Sequence, residues 1–128
     1  YFNFMIEEDE KIQIKFALSS VSTAGALNNM DAEIPHWDFE KTKKETQDKW
    51  NNELSKIEVE CIEKEDKETF YTALYHTMLG PVLYEDVDGK YKGLDKNIHI
   101  STGFTNYTIF SLWDTYRALH PLFNIILI

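Results

Sequence analysis

The sequence predicts an α+β chain, and three observations carry that reading. Residues 11 to 18, Lys-Ile-Gln-Ile-Lys-Phe-Ala-Leu, alternate apolar and polar with period two, the mark of a half-buried strand. Three stretches repeat apolar residues at helical spacing behind Asp38, Asp66 and Asn106, each a residue suited to an N-cap. Asp88-Gly89 lies between two runs of strand character, as in a tight hairpin.

Taken in order, the strand turns Ile12, Ile14, Phe16 and Leu18 one way and Gln13 and Lys15 the other. A lone strand is unstable, so its expected partners are Tyr1 to Ile6 and otherwise material upstream of the chain. Ala24 to Ala32 has a short helical pattern weakened by Gly25 and two asparagines, after which Pro35 and His36-Trp37-Asp38 punctuate the chain. Asp38 caps a helix from Phe39 to about Lys56, whose less polar positions (Phe39, Thr46, Trp50, Leu54, then Ile57) form a narrow stripe. Such a helix is expected to lie on a surface as a connector. Ile57 to Cys61 reads as a short strand or extended link, with Cys61 expected as a small buried hydrophobe.

Asp66 is expected to cap the next helix, Lys67 to Leu79, whose wide apolar face holds Phe70, Tyr71, Leu74, Tyr75 and Met78. His76 falls on the far side, expected to be solvated or locally bonded, and Gly80-Pro81 ends the helix. Val82 to Val87 is expected to pair with Lys90 to Leu94 around Asp88-Gly89, with Asn97 to Ile100 a further short strand. Asp86-Val87-Asp88-Gly89 resembles the opening of a calcium loop, but the later ligands and the closing Glu are missing, so a plain turn is expected.

The stretch from Asn106 to Pro121 sets charged groups among aromatics. Ile109, Leu112, Trp113, Tyr116 and His120 repeat as in an amphipathic helix, with Asn106 as N-cap and Pro121 as its end or kink. At about 100° per residue, Trp113, Arg117, Phe110 and Asp114 share one edge. An indole, a guanidinium, a phenyl ring and a carboxylate together suit a sugar, whose apolar face stacks on a ring while its hydroxyls bond to charged groups. The plainer alternative is an ordinary Asp114–Arg117 helix ion pair beside a core tryptophan.

Composition narrows the function. The 128 residues hold 13 basic and 22 acidic side chains, a net charge of −9, which argues against nucleic acid or an anionic membrane as the main partner. No apolar run is long enough to span a bilayer. Cys61, the single cysteine, has no internal disulfide partner. Aromatic residues make up 14%, in keeping with a dense core or a carbohydrate site. There is no Gly-rich phosphate loop, no metal-binding His or Cys spacing and no Ser or Cys nucleophile motif. The apolar run Leu122 to Ile128 needs partners that a solvated terminus lacks, so the chain is expected to be part of a larger protein.

Three motifs in register carry a family resemblance: Phe70-Tyr71-Thr72-Ala73-Leu74-Tyr75-His76-Thr77, Asp86-Val87-Asp88-Gly89-Lys90-Tyr91 and Ser111-Leu112-Trp113-Asp114-Thr115-Tyr116-Arg117. With Val21-Ser22-Thr23 and Ala32 to Phe39 upstream, the chain from about Ile12 resembles glycoside hydrolase family 92, the bacterial calcium-dependent exo-α-mannosidases. The resemblance implies the last strands of an N-terminal β-sandwich in residues 1–21, a helical linker in 22–62 and the first helices and a β-hairpin of an (α/α)6 barrel in 63–128. It also implies hydrolysis of terminal α-mannosides, α-1,2-linked ones foremost, with inversion. In the intact enzyme an acid and a base would flank the bond roughly 6.5 to 9.5 Å apart.

By the same resemblance Trp113 and Asp114 would reach the subsite of the terminal mannose, with Arg117 orienting Asp114 or binding nearby. The acid, the base and the ligands of a calcium ion that grips mannose hydroxyls would lie beyond this chain. No catalytic or metal-binding residue is therefore assigned within it. The implied partners are a mannose-containing glycan and the rest of the polypeptide or a second copy, the implied location the periplasm or outer surface of a bacterium. The competing expectation is a non-catalytic carbohydrate-binding or structural helical module.

Overall fold

Ser22 opens the first helix: its hydroxyl accepts the Gly25 N–H at 3.0 Å, one of the donors a helix start leaves unpaired. A computed structural model describes residues 3–126, with five helices and one two-stranded antiparallel sheet. Helix α1 is Thr23–Glu33. Asp38 caps α2, Phe39–Leu54, by accepting the Lys41 N–H at 3.0 Å. The surface of α2 carries ion pairs such as Lys44–Asp48 at 3.0 Å, while Trp50 meets Tyr75 of the next helix edge to face at 4.6 Å.

Helix α3, Lys64–Thr77, starts three residues earlier than the Asp66 cap predicts. Glu63 is its N-cap and makes no side-chain capping bond; Glu65 and Asp66 instead lie in the first turn, where negative charge suits the helix dipole. Leu74 of the predicted apolar face is buried, and Tyr71 Oη donates to the Ile57 carbonyl at 3.0 Å, tying the extended link to α3. Cys61, expected buried, is exposed in that link.

The predicted hairpin exists one step further along the chain. The turn forms, with Gly89 at φ +79° and its N–H bonded to Asp86 O at 2.8 Å. Yet Lys90–Lys92 (β1) pairs with Ile98–Ile100 (β2), Tyr91 opposite His99, around a Gly93-to-Asn97 turn. Residues 82 to 84 face residues 106 to 108 instead: Tyr84 N bonds to Asn106 O at 2.9 Å and Thr108 N to Val82 O at 2.8 Å, with a single antiparallel bridge at Leu83 and Tyr107. That pairing removes Asn106 from any helix start. Its backbone N–H goes to Glu85 Oε2 at 2.9 Å and its Nδ2 to Tyr84 O at 2.8 Å.

The long helix expected from Asn106 to His120 is accordingly broken. A single turn, α4 (Leu112–Thr115), begins after Ser111, and α5 (Leu119–Ile126) follows. Pro121 is the third residue of α5, where a missing N–H costs nothing, so it starts a helix rather than ending one.

The strand expected over residues 11 to 18 is extended but unpaired, because no neighbouring strand lies beside it among the described residues. Phe16 and Leu18 are each 81% exposed, the reverse of a half-buried face. Of the proposed partners, Tyr1 and Phe2 lie outside the described residues, as do Leu127 and Ile128 of the terminal apolar run. Among the described residues only Leu74 and Ile126 are buried hydrophobics.

Candidate functional site

The residues singled out for sugar binding sit on α4 and the turn after it. Ser111 accepts the Asp114 N–H at 3.0 Å through its carbonyl, closing the turn that sets Trp113 and Asp114 side by side. Trp113 is 80% exposed in this segment. Its ring lies 6.1 Å from that of Tyr116, inclined at 41°.

Arg117 does not reach Asp114. Its guanidinium lies 5.3 Å over the Tyr116 ring and its Nε donates to Tyr116 Oη at 2.6 Å. The ordinary Asp114–Arg117 ion pair is therefore absent among the described residues, and Arg117 orients Tyr116 rather than the carboxylate. Phe110 leaves the shared edge altogether. It packs inward on His120 at 5.6 Å and Phe123 at 6.4 Å, since residues 106 to 110 are extended rather than helical. What remains is an exposed indole, an exposed carboxylate and a tyrosine clamped by arginine.

An open groove of about 980 Å³ lies elsewhere, lined by Phe16, Ile34, His36, Trp37 and Phe39 among others. Lys15 spans it, donating to Ile34 O at 2.7 Å with its ammonium 4.5 Å over the Trp37 ring. The groove shares no lining residue with the Trp113 turn. Among the described residues no three carboxylate, imidazole or thiolate groups converge.

Sequence reasoning missed one cluster. Asp86 is 4% exposed and Asn29 8%. Asp86 Oδ2 accepts from Ser19 Oγ at 2.7 Å and Oδ1 from Asn29 Nδ2 at 2.9 Å, while Asn29 Oδ1 accepts the Val87 N–H at 2.9 Å. A Cβ on Gly25 would run into Asp86 Oδ2, so α1 approaches this carboxylate at its glycine. The available signal was Gly25 and Asn29 four residues apart on one face of a short helix, small and polar where an apolar residue would normally pack.

The hairpin carries a second polar cluster, exposed throughout. His99 Nε2 lies 3.0 Å from Asp95 Oδ1, and Asn97 Nδ2 donates to Asp95 Oδ2 at 3.0 Å. The bond from His99, then those from Asn97, hold the Asp95 carboxyl down at about 2 against an ordinary value near 3.8.

The pattern of the glycosyl hydrolase family 92 catalytic domain matches residues 25–127. The chain belongs to glycosyl hydrolase family 92. Among family 92 structures it is similar to the α-mannosidase BT3965 from Bacteroides thetaiotaomicron, at 51% identity and a TM-score of 0.78 over 83% of this chain. The same enzyme in complex with mannoimidazole aligns at 52% identity with the same TM-score. The family 92 hydrolase ccman5 aligns at 27% identity and a TM-score of 0.70, over 74% of this chain and 13% of that one. A curated relative, an uncharacterized secreted glycosidase of Arthroderma benhamiae, is 30% identical over 78 residues, 58% of this chain. The chain spans 14% of the length of the Bacteroides enzyme and 10% of the Arthroderma protein. It is thus a family 92 segment with α+β structure.

Proposed function

We propose that this chain is a segment of an exo-acting α-mannosidase that removes terminal α-mannosides, α-1,2-linked ones foremost, with inversion. The observation that carries the reading is 52% identity, over 83% of the chain, to an α-mannosidase solved with mannoimidazole. In this reading residues 1–21 end a β-sandwich, 22–62 form a linker and 63–128 open an (α/α)6 barrel. The bare apolar faces of residues 12 to 18 and of Ile109, Leu112 and Ile125 support that arrangement, since each needs a neighbour to cover it.

Trp113 and Asp114 form the part of the mannose subsite that this segment contributes. The exposed indole offers a face on which the apolar side of a pyranose stacks, and the Asp114 carboxylate, unclaimed by Arg117, accepts bonds from sugar hydroxyls. Arg117 acts by holding Tyr116 at the rim. The general acid, the general base and the ligands of a calcium ion belong to the remaining polypeptide, so the segment by itself hydrolyses nothing. The enzyme acts outside the cytoplasm, in the periplasm, at the cell surface or in the medium, in line with the secreted designation of the Arthroderma relative.

The test is to follow methyl α-1,2-mannobioside, whose leaving group has a locked anomeric centre, by proton NMR with the full-length polypeptide carrying this chain and with the 128-residue segment alone. β-Mannose appearing first, from the full-length protein only, is the expected result. Hydrolysis by the segment, or α-mannose as first product, contradicts the reading.

A further inference from the structure

The Asp86 cluster lies far along the chain from the segments it joins, and its hydrogen bonds have a fixed sense. Ser19 Oγ accepts the N–H groups of Val21 at 3.0 Å and Ser22 at 3.2 Å, which occupy both its lone pairs. Its only proton is left for Asp86 Oδ2. Asn29 is oriented from both ends: its Oδ1 takes the Val87 N–H, and its Nδ2 donates to Leu18 O at 3.1 Å as well as to Asp86 Oδ1. Position 86 is thus met by two donors and needs a group with two acceptors. A carboxylate satisfies that need and a carboxamide does not.

From Asp86 the connection runs on through backbone. Asp86 N donates to Lys90 O at 2.8 Å, holding the turn. Glu85 Oε2 takes the Asn106 N–H, and Tyr84 and Val82 pair with Asn106 and Thr108. Thr108 Oγ1 also accepts the Val82 N–H at 2.8 Å. Three residues after Thr108, Ser111 opens the turn that carries Trp113 and Asp114. The hydrogen-bonded path thus runs from Ser19 and Asn29 through the buried Asp86 to Thr108, and the backbone alone continues to Ser111.

We propose that Asp86 is a positioning residue: held by Ser19 and Asn29, it fixes the register of residues 82 to 84 against 106 to 108 and so places the Trp113–Asp114 turn for the sugar. This rests on the mannosidase reading of that turn. Asp86 touches no substrate. Its effect is on where the binding turn sits, so its loss weakens ground-state and transition-state binding alike and appears in KM rather than kcat.

The experiment uses the full-length polypeptide with Ser19→Ala and Asp86→Asn, assayed on para-nitrophenyl α-mannoside and by hydrogen–deuterium exchange. Ser19→Ala removes the bond to the Asp86 carboxylate along with the two that Ser19 Oγ accepts from Val21 and Ser22, and is expected to raise KM about 10-fold, with kcat within about twofold. Exchange in peptides covering 82 to 87 and 104 to 110 is expected to quicken by a similar factor while α3 is unchanged. Asp86→Asn is expected to act in the same direction and more strongly. Unchanged KM and unchanged exchange in Ser19→Ala, or a fall in kcat at constant KM, would overturn the proposal, even where Asp86→Asn unfolds. If the parent cleaves no α-mannoside the mannosidase reading falls by itself; the exchange comparison then still decides whether Asp86 holds the register.

Discussion

Around Asp86 the carboxylate oxygens, the Asn29 carboxamide and the Ser19 hydroxyl all find partners within the chain, whereas along residues 11 to 18 the apolar side chains find almost none. The first region is closed by directional bonds among groups brought from three separate segments. The second is a strand-like run with a strand's alternation and no sheet to join. The difference teaches that the polar register of this family 92 segment is set by bonds within the segment between residues distant in sequence, while its apolar side chains are left largely exposed.

The largest expected effect concerns the second region. With Phe16, Leu18, Ile109 and Trp113 each at least 80% exposed, the isolated chain is expected to associate or to fold poorly. Sedimentation velocity across a concentration series should show assemblies growing with concentration or an expanded species. A compact, stable monomer at high concentration would erase the contrast between the two regions.

A smaller effect sharpens the first region. Gly25→Ala sets a methyl group against Asp86 Oδ2, and overpacking of this kind is expected to cost about 1 to 3 kcal/mol, read as a lowered denaturation midpoint of the full-length polypeptide. An unchanged midpoint would mean that α1 does not press on the carboxylate. The smallest effect lies in the hairpin. Because the Asp95 carboxyl is depressed to about 2, its bonds to His99 and Asn97 contribute stability that is present above about pH 3.8 and lost as pH falls toward 2. NMR titration of the Asp95 carboxyl carbon should give a midpoint near 2, and His99→Ala should move it up toward 3.8. A midpoint already at the ordinary value would show that the pair does not persist in solution.

Much of the fold was legible. The helical pattern of Ala24 to Ala32, the Asp38-capped α2, the apolar face of α3 and the Asp88-Gly89 turn follow from caps, periodicity and turn residues, all of which act over a few positions. The failures have a common cause in contacts distant along the chain. Helical spacing from Ile109 to His120 is real, yet residues 106 to 108 bond to 82 to 84, and that pairing overrides the local pattern. Alternation in residues 11 to 18 tells which side is apolar and not whether a neighbouring strand is present.

Of the candidate site, Trp113 and Asp114 lie in one helical turn. Phe110 leaves the edge expected of it because residues 106 to 110 are not helical, and Arg117 bonds to Tyr116 rather than to Asp114. Asp86 went unread because Asp-Val-Asp-Gly is by default a solvated turn, and its burial comes from Ser19 and Asn29, nearly sixty or more residues away.

The most direct measurement is the kcat/KM of the full-length polypeptide on α-1,2-mannobiose, compared with Asp114→Ala at an unchanged melting temperature. Two lost bonds to a charged acceptor predict a fall of about 100-fold or more. A variant that cleaves the disaccharide within about twofold of the parent rate would contradict the placement of the terminal mannose against Trp113 and Asp114.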